Sequence, residues 1–374
     1  MLKDIFNDYI YPIAVFSGGM VGVGFLSLPY IAMKSGIWLM LFYFLILTSL
    51  MVAVNLIFCR ISLKTPDFKR FPGFAKYHLG RWGWVVALTC TIVGAIGALL
   101  VFLLVGGGFL SDILTPLIGG DAIFYTILYF LAASIIVFFG IKAIARAEFW
   151  ILGFLFLSLL FIFIESFSNI KLSNIFIANT QFRASDLFLP YGPILFALWA
   201  VGIIPEVEEM LIGRKKLLRR VVSISTIIVS SLYFLFVLLV LGITGSHTAE
   251  TALVGFKSFL GNDLFSMSLL AGTLATFTAF ITQGIILKKV LMYDLGLKHW
   301  QAFVMTCFTP LILLLMGFNS FIALLSFFGG FFFGIFGIII LLMYKKIGGK
   351  NIIIYPLSAV FLIGVIYEIV YFFR

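Results

Sequence analysis

Along this chain the polar residues fall in short clusters and the apolar residues in long runs, so the length of each run identifies the elements. A helix needs about 20 apolar residues to cross the hydrocarbon core of a bilayer. Stretches lacking Asp, Glu, Lys and Arg run from Tyr9 to Met33, Gly36 to Cys59, Trp82 to Ser111, Ala122 to Ile141, Phe149 to Ile164, Leu187 to Pro205, Val221 to Ser246 and Leu264 to Leu287. The uncharged stretch from His299 to Tyr344 is too long for one helix, and Gly317, Phe318, Asn319 and Ser320 supply a turn within it. Asn351 to Tyr367 closes the series. The pattern predicts an all-α integral membrane fold of about eleven transmembrane helices, with no hydrophilic stretch long enough to fold separately.

Composition agrees. The 374 residues are 63% hydrophobic and 11% charged, against roughly 25% charged in an average soluble domain. A net charge of +10 would suit nucleic acid only if Lys and Arg gathered on a soluble face. Here they sit between apolar runs, and no nucleic-acid partner is expected. Twenty of the 25 Lys and Arg residues fall in alternate connections: Lys3, then Arg60 to Arg81, Lys142 and Arg146, Arg214 to Arg220, Lys288 to Lys298, and Lys345 to Lys350. Only Lys34, Lys171, Arg183, Lys257 and Arg374 lie on the other side. Cytoplasmic loops retain basic residues, so the expectation is a plasma (inner) membrane protein with its N-terminus inside and its C-terminus outside. The start of the chain lacks the design of a cleavable signal, so the first helix is retained. Cys59, Cys90 and Cys307 have no metal or redox spacing and read as apolar fillers.

Two runs differ from the rest. Ser17 to Gly24, SGGMVGVG, places four glycines in eight residues at mid-membrane, where each costs a helix about 1 kcal/mol relative to Ala. The sixth run carries Pro190, Gly192, Pro193, Gly202 and Pro205, which predicts unwinding around Ala200 to Pro205. Irregular backbone at membrane depth lines a cavity or is buried in protein. Glycines elsewhere, Gly106 to Gly108, Gly329 and Gly330, read as close helix packing. Interrupted helices in corresponding positions point to an inverted-repeat transporter site. Repeat one would cover about 9–167, repeat two about 187–344, and an extra helix 351–372. The amides opening a second half-helix attract a carboxylate, and carbonyls closing a first half meet a cation. The amides of Val21, Gly22, Val23 and Gly24 are thus candidates for a carboxylate, and the carbonyls of Gly18 and Gly19 for a cationic group. Met20, Phe196, Trp199, Ala200 and Gly202 would shape the pocket for the rest of an amino-acid-like solute.

At these residues the chain resembles the amino acid/auxin permease family of the amino acid, polyamine and organocation superfamily. The likeness rests on GVGFLSLPYIAMKSG from Gly22 to Gly36, on PILFALWAVGIIPEVEEML from Pro193 to Leu211, and on LATFTAFITQGIILKKVLMYDLGL from Leu274 to Leu297. The resemblance implies a LeuT-like fold with discontinuous first and sixth helices, alternating access, and an amino acid carried with Na⁺ or H⁺. In sodium-coupled relatives of that fold, first-helix carbonyls and adjacent Thr-Ser hydroxyls in the eighth helix bind the ion. The matching positions are Gly18, Val21, Thr278 and Ala279, and Ala279 supplies no hydroxyl. For a proton, intramembrane acids are the candidates. Asp112, Glu165, Asp263 and Glu368 fall at span ends and read as interfacial, which leaves Glu206 best placed.

The expectation is a secondary amino acid transporter with lipid and a small solute as its partners. No obligate protein partner, prosthetic group or metal beyond a possible Na⁺ is expected. A receptor subunit that senses an amino acid without moving it is the alternative. A membrane enzyme would need clustered His, Asp and Glu at membrane depth, and the runs contain none.

Overall fold

The computed structural model describes residues 6–66, 70–140, 144–167, 170–176, 184–211, 214–259 and 261–372. Lys3, Lys69, Lys142, Arg183 and Arg374, used above to orient the chain, lie outside the described residues.

The first apolar run forms α1 (Tyr11–Met20) and α2 (Leu28–Ser35), joined by a 3₁₀ turn over Val23–Ser27 and bent by 56°. There follow α3 (Ile37–Lys64), α4 (Phe71–Ile118), α5 (Ala122–Phe139) and α6 (Ile144–Glu165). The sixth run forms α7 (Tyr191–Leu198) and α8 (Ile204–Met210), and the next two form α9 (Lys215–Thr244) and α10 (Asn262–Asp294). The long uncharged stretch divides at Gly317 as predicted, into α11 (His299–Leu315) and a helix made of α12 (Phe321–Phe327), a π turn (Phe328–Phe332) and α13 (Phe333–Lys346). The last helix is α14 (Asn351–Phe372).

Eight described helices are long and apolar enough to cross a membrane, and the bent pair α1–α2 makes nine. The expected fifth and ninth crossings correspond to the shorter apolar helices Gly153–Glu165 and His299–Leu315.

Three details depart from the sequence expectation. The hydrophilic stretch before Trp82 is helical from Phe71, with Pro72 in the first turn, where its missing N–H costs nothing. That segment is set off from the long helix by Gly80, at φ +75°. Pro205 does not lie in unwound chain: it opens α8, for the same reason as Pro72, and the break is narrower than predicted. Glu368 lies near the end of α14 as expected, but inside the protein. It is wholly buried, because α12 and the π turn cover the end of α14.

The helices form two groups. In the first, α9 packs against α1, α2 and α3, and α8 against α1, α3 and α9. Hydrogen bonds tie this group together: Thr48 with Ser230, Asn55 Nδ2 to Thr226 Oγ1 (3.2 Å), Ser62 to Glu208, and Ser225 to the carbonyl of Ile13 (3.5 Å). In the second, α10 packs against α4, α5, α6 and α11. There Lys288, nearly buried, donates to the carbonyls of Val137 and Phe138 at the C-terminal end of α5, where positive charge is favoured. The helix α12–α13 contacts members of both groups and carries α14 on its outer side. Of the glycines read as packing sites, Gly106 admits Tyr129 and Thr276, Gly107 admits Thr126, and Gly108 faces open space. The three cysteines are buried and unpaired, as fillers should be.

Candidate functional site

In the first break Val21 and Gly22 are extended (φ −79°, ψ 94° and φ −122°, ψ −160°). The Val21 amide turns back and donates to the carbonyls of Ser17 and Gly18, 3.1 Å from each. It is therefore engaged in closing α1, and so is the Gly18 carbonyl in part. The opening amides of the 3₁₀ turn, Val23 and Gly24, have no partner within their own helix. In the second break Trp199 is extended (φ −78°, ψ 116°), Ala200 leaves helical geometry at φ −142°, and a 3₁₀ turn over Val201–Ile203 leads into α8.

The breaks face one another. Gly19 lies against the side chain of Ile203, so close that a Cβ there would collide with it. A Cβ on Gly24 would stand 2.9 Å from a ring carbon of Phe196 and 3.2 Å from the Cα of Ala197. The structure thus brings Gly19 against Ile203 and Gly24 against Phe196 and Ala197, with Met20, Trp199 and Ala200 adjoining these contacts along the chain. On the α2 and α7 side the chain is buried, from Val23 to Ser27 and from Tyr191 to Leu195. On the α1 and α8 side Gly19, Gly202 and Glu206 are exposed, and nothing lies within 4 Å of a Cβ on Gly202.

Aromatic rings wall the junction. Trp199 stacks on Phe333 with centroids 4.6 Å apart, and Phe196 stacks on the same ring at 5.6 Å. Phe25 stacks on Tyr233 at 5.2 Å, and the Tyr233 hydroxyl donates to the carbonyl of Met20 at 2.9 Å. Tyr233 and Phe333 escaped sequence reasoning because an aromatic in a membrane helix is usually packing. Tyr233 satisfies a backbone acceptor that the helix break sets free. Tyr233→Phe strands that buried carbonyl, at a cost of about 1–3 kcal/mol. The variant is expected to keep its fold, lose thermal stability, and lower uptake by about tenfold; thermal unfolding and initial uptake rates together check this.

Beyond Val21, Gly22 and Val23 a cavity of about 10 Å³ is closed by Leu155 of α6 and by Gly272, Ala275 and Thr276 of α10. That is space for a single water; admitting a larger solute requires the half-helices to part. Thr278 is not among the cavity's lining residues: its hydroxyl folds back onto the carbonyls of Leu274 (3.2 Å) and Ala275 (3.1 Å). Glu206 occupies the first turn of α8, where a negative charge is favoured. Among the described residues no cluster of His, Cys, Asp and Glu could hold a metal ion.

Known proteins place this geometry. No curated protein matches the chain. Two solved structures share its shape. MhsT in complex with L-phenylalanine superposes with a TM-score of 0.68 at 14% identity, over 96% of this chain and 98% of that one. Mhp1, a nucleobase-cation-symport-1 family transporter in a closed conformation with bromovinylhydantoin bound, gives 0.67 at 12% identity over 96% and 90%. Both are LeuT-fold transporters, so the expected fold is present. Residues 7–359 match a single family throughout, and with opposed breaks in the first and sixth runs the chain belongs to the tryptophan/tyrosine permease family, as a multi-pass membrane transporter.

Proposed function

We propose that this protein carries a neutral aromatic amino acid across the plasma membrane by alternating access, driven by a proton gradient. The observation that carries the reading is the pair of opposed helix breaks beneath a wall of stacked rings. The opening amides of Val23 and Gly24, at the positive end of a half-helix and next to that of Gly22, suit the substrate carboxylate. The carbonyls of Gly18 and Gly19, at the end of the other half, suit its ammonium. Phe196 and Trp199, backed by Phe333, offer flat apolar faces to an aromatic side chain, and Met20, Ala200 and Gly202 complete the chamber. The reading takes a proton rather than Na⁺ because Ala279, one of the two matching eighth-helix positions, has no hydroxyl to bind the ion. In this reading 9–167 and 187–344 are the two repeats, the N-terminus is cytoplasmic, and the exposed side of the breaks faces inward.

Labelled tryptophan, tyrosine, phenylalanine, leucine and lysine, offered to proteoliposomes under imposed pH and sodium gradients, test the reading. Saturable uptake of the aromatic amino acids, raised by an acid exterior and indifferent to sodium, is the expected result. Absence of any uptake or exchange overturns it.

A further inference from the structure

A second polar centre stands apart from the breaks. Glu368, near the end of α14, is 0% exposed. Its Oε1 accepts a hydrogen bond from Ser326 of α12 at 2.7 Å, while Oε2 is buried with no hydrogen-bond partner. The carboxyl sits against Gly330 of the π turn, where a Cβ would lie 2.7 Å from Oε1. Only the absence of a side chain at that position leaves room for the acid.

Among the described residues its surroundings are uncharged. Tyr191 of α7 donates instead to the carbonyl of Val360 at 3.3 Å, with Tyr43 of α3 within electrostatic reach of it. Tyr367, next along α14, stacks its ring on Phe188. Residues 187–205, 319–344 and 351–367 contain no Asp, Glu, Lys, Arg or His, and Lys345 and Lys346 lie at the far end of α13. Among the described residues, an ionised carboxylate held there would have one hydroxyl donor and no counter-cation, which is costly for a buried charge. The protonated acid leaves only one hydroxyl to satisfy.

The centre also touches the proposed substrate chamber through a single turn of helix. Gly330 meets Glu368 on one side, while its neighbour Gly329 meets the backbone of Gly192 and, for a Cβ, stands 3.0 Å from Phe196. Phe333, the next residue after the π turn, carries the stacked rings of Phe196 and Trp199. π turns are rare and recur at functional sites.

Building on the transport reading, we propose that Glu368 is a reversible proton-binding site, and that its load state sets how the π turn packs against Phe196 and Phe333. The proton comes from the aqueous phase and no further reactant is needed. Glu368→Gln keeps the shape and the Ser326 bond but cannot gain or lose a proton. The variant is expected to lose pH-gradient-driven accumulation of tryptophan by about tenfold or more, while exchange of labelled for unlabelled tryptophan, which moves no net proton, falls far less. Accumulation at the wild-type level overturns the proposal. Should exchange fail too, or the variant not fold, infrared spectroscopy of the wild-type protein decides: a carboxylic-acid C=O band that disappears reversibly on alkalinisation and shifts in Ser326→Ala supports the site. No such band at any pH, or one unmoved by Ser326→Ala, overturns it. A wild-type protein that neither accumulates nor exchanges tryptophan would defeat the transport reading alone, since the infrared test needs no flux.

Discussion

Gly24→Val is expected to abolish uptake, lowering the initial rate by about 100-fold. Gly24 is where the 3₁₀ turn of the first break passes closest to α7: a single Cβ would already crowd Phe196 and the Cα of Ala197. The Cα of Ala197 belongs to the main chain and cannot rotate aside, so a branched side chain must push the two half-helices apart. Overpacking of this kind typically costs 1–3 kcal/mol, and here the strain falls on the amides proposed to hold the carboxylate. Gly108→Val is the control, because that glycine faces open space and its substitution is expected to leave uptake within about threefold. Uptake assays and thermal unfolding on both variants decide. Near-wild-type transport by Gly24→Val would show that the apposed breaks do not form the site.

Trp199→Ala is expected to raise the KM for tryptophan by about tenfold, with a smaller change in maximal rate. The indole lies nearly parallel to Phe333, 10° between planes, and edge-on to Phe336 at 5.7 Å. Removing it deletes an aromatic pair worth about 0.5–1.5 kcal/mol beyond its buried area and opens the wall the substrate ring would meet. Trp199→Phe preserves a flat face and is expected to recover most of the affinity. A fall in maximal rate at unchanged KM would instead make Trp199 a support of the half-helix.

The two breaks were legible in sequence because their cause is local. Glycines clustered in Ser17 to Gly24, and Gly202 with Pro205 in the sixth run, weaken a helix whatever surrounds it. Placement of Pro205 was less legible, since the same residue can interrupt a helix or begin one, and the outcome depends on where the helix resumes. The burial of the acid at 368 was less legible for a different reason. Its position near the end of an apolar run suggests an interface, but burial is decided by α12 and the π turn, which are distant in the chain. The π turn left no signal of its own; Gly329 and Gly330 were read as close-packing residues, which they also are. Tyr233 acquires its role only once Met20 has lost its helical partner, so no reading of α9 alone could have found it.

The interhelical hydrogen bonds described here run within one helix group, within the α12–α14 unit, or between that unit and α7. Thr48 with Ser230, Asn55 with Thr226, Ser62 with Glu208 and Tyr233 with Met20 all stay inside the first group, and Lys288 with the end of α5 inside the second. Where the 3₁₀ turn before α2 meets α6 and α10, the seam is lined by Val23, Phe25, Leu26, Leu155, Gly272, Ala275 and Thr276. In the alternating-access reading proposed above, two internally stitched bodies meet along a join that is largely apolar among the described residues, so switching access would chiefly repack small and apolar surfaces.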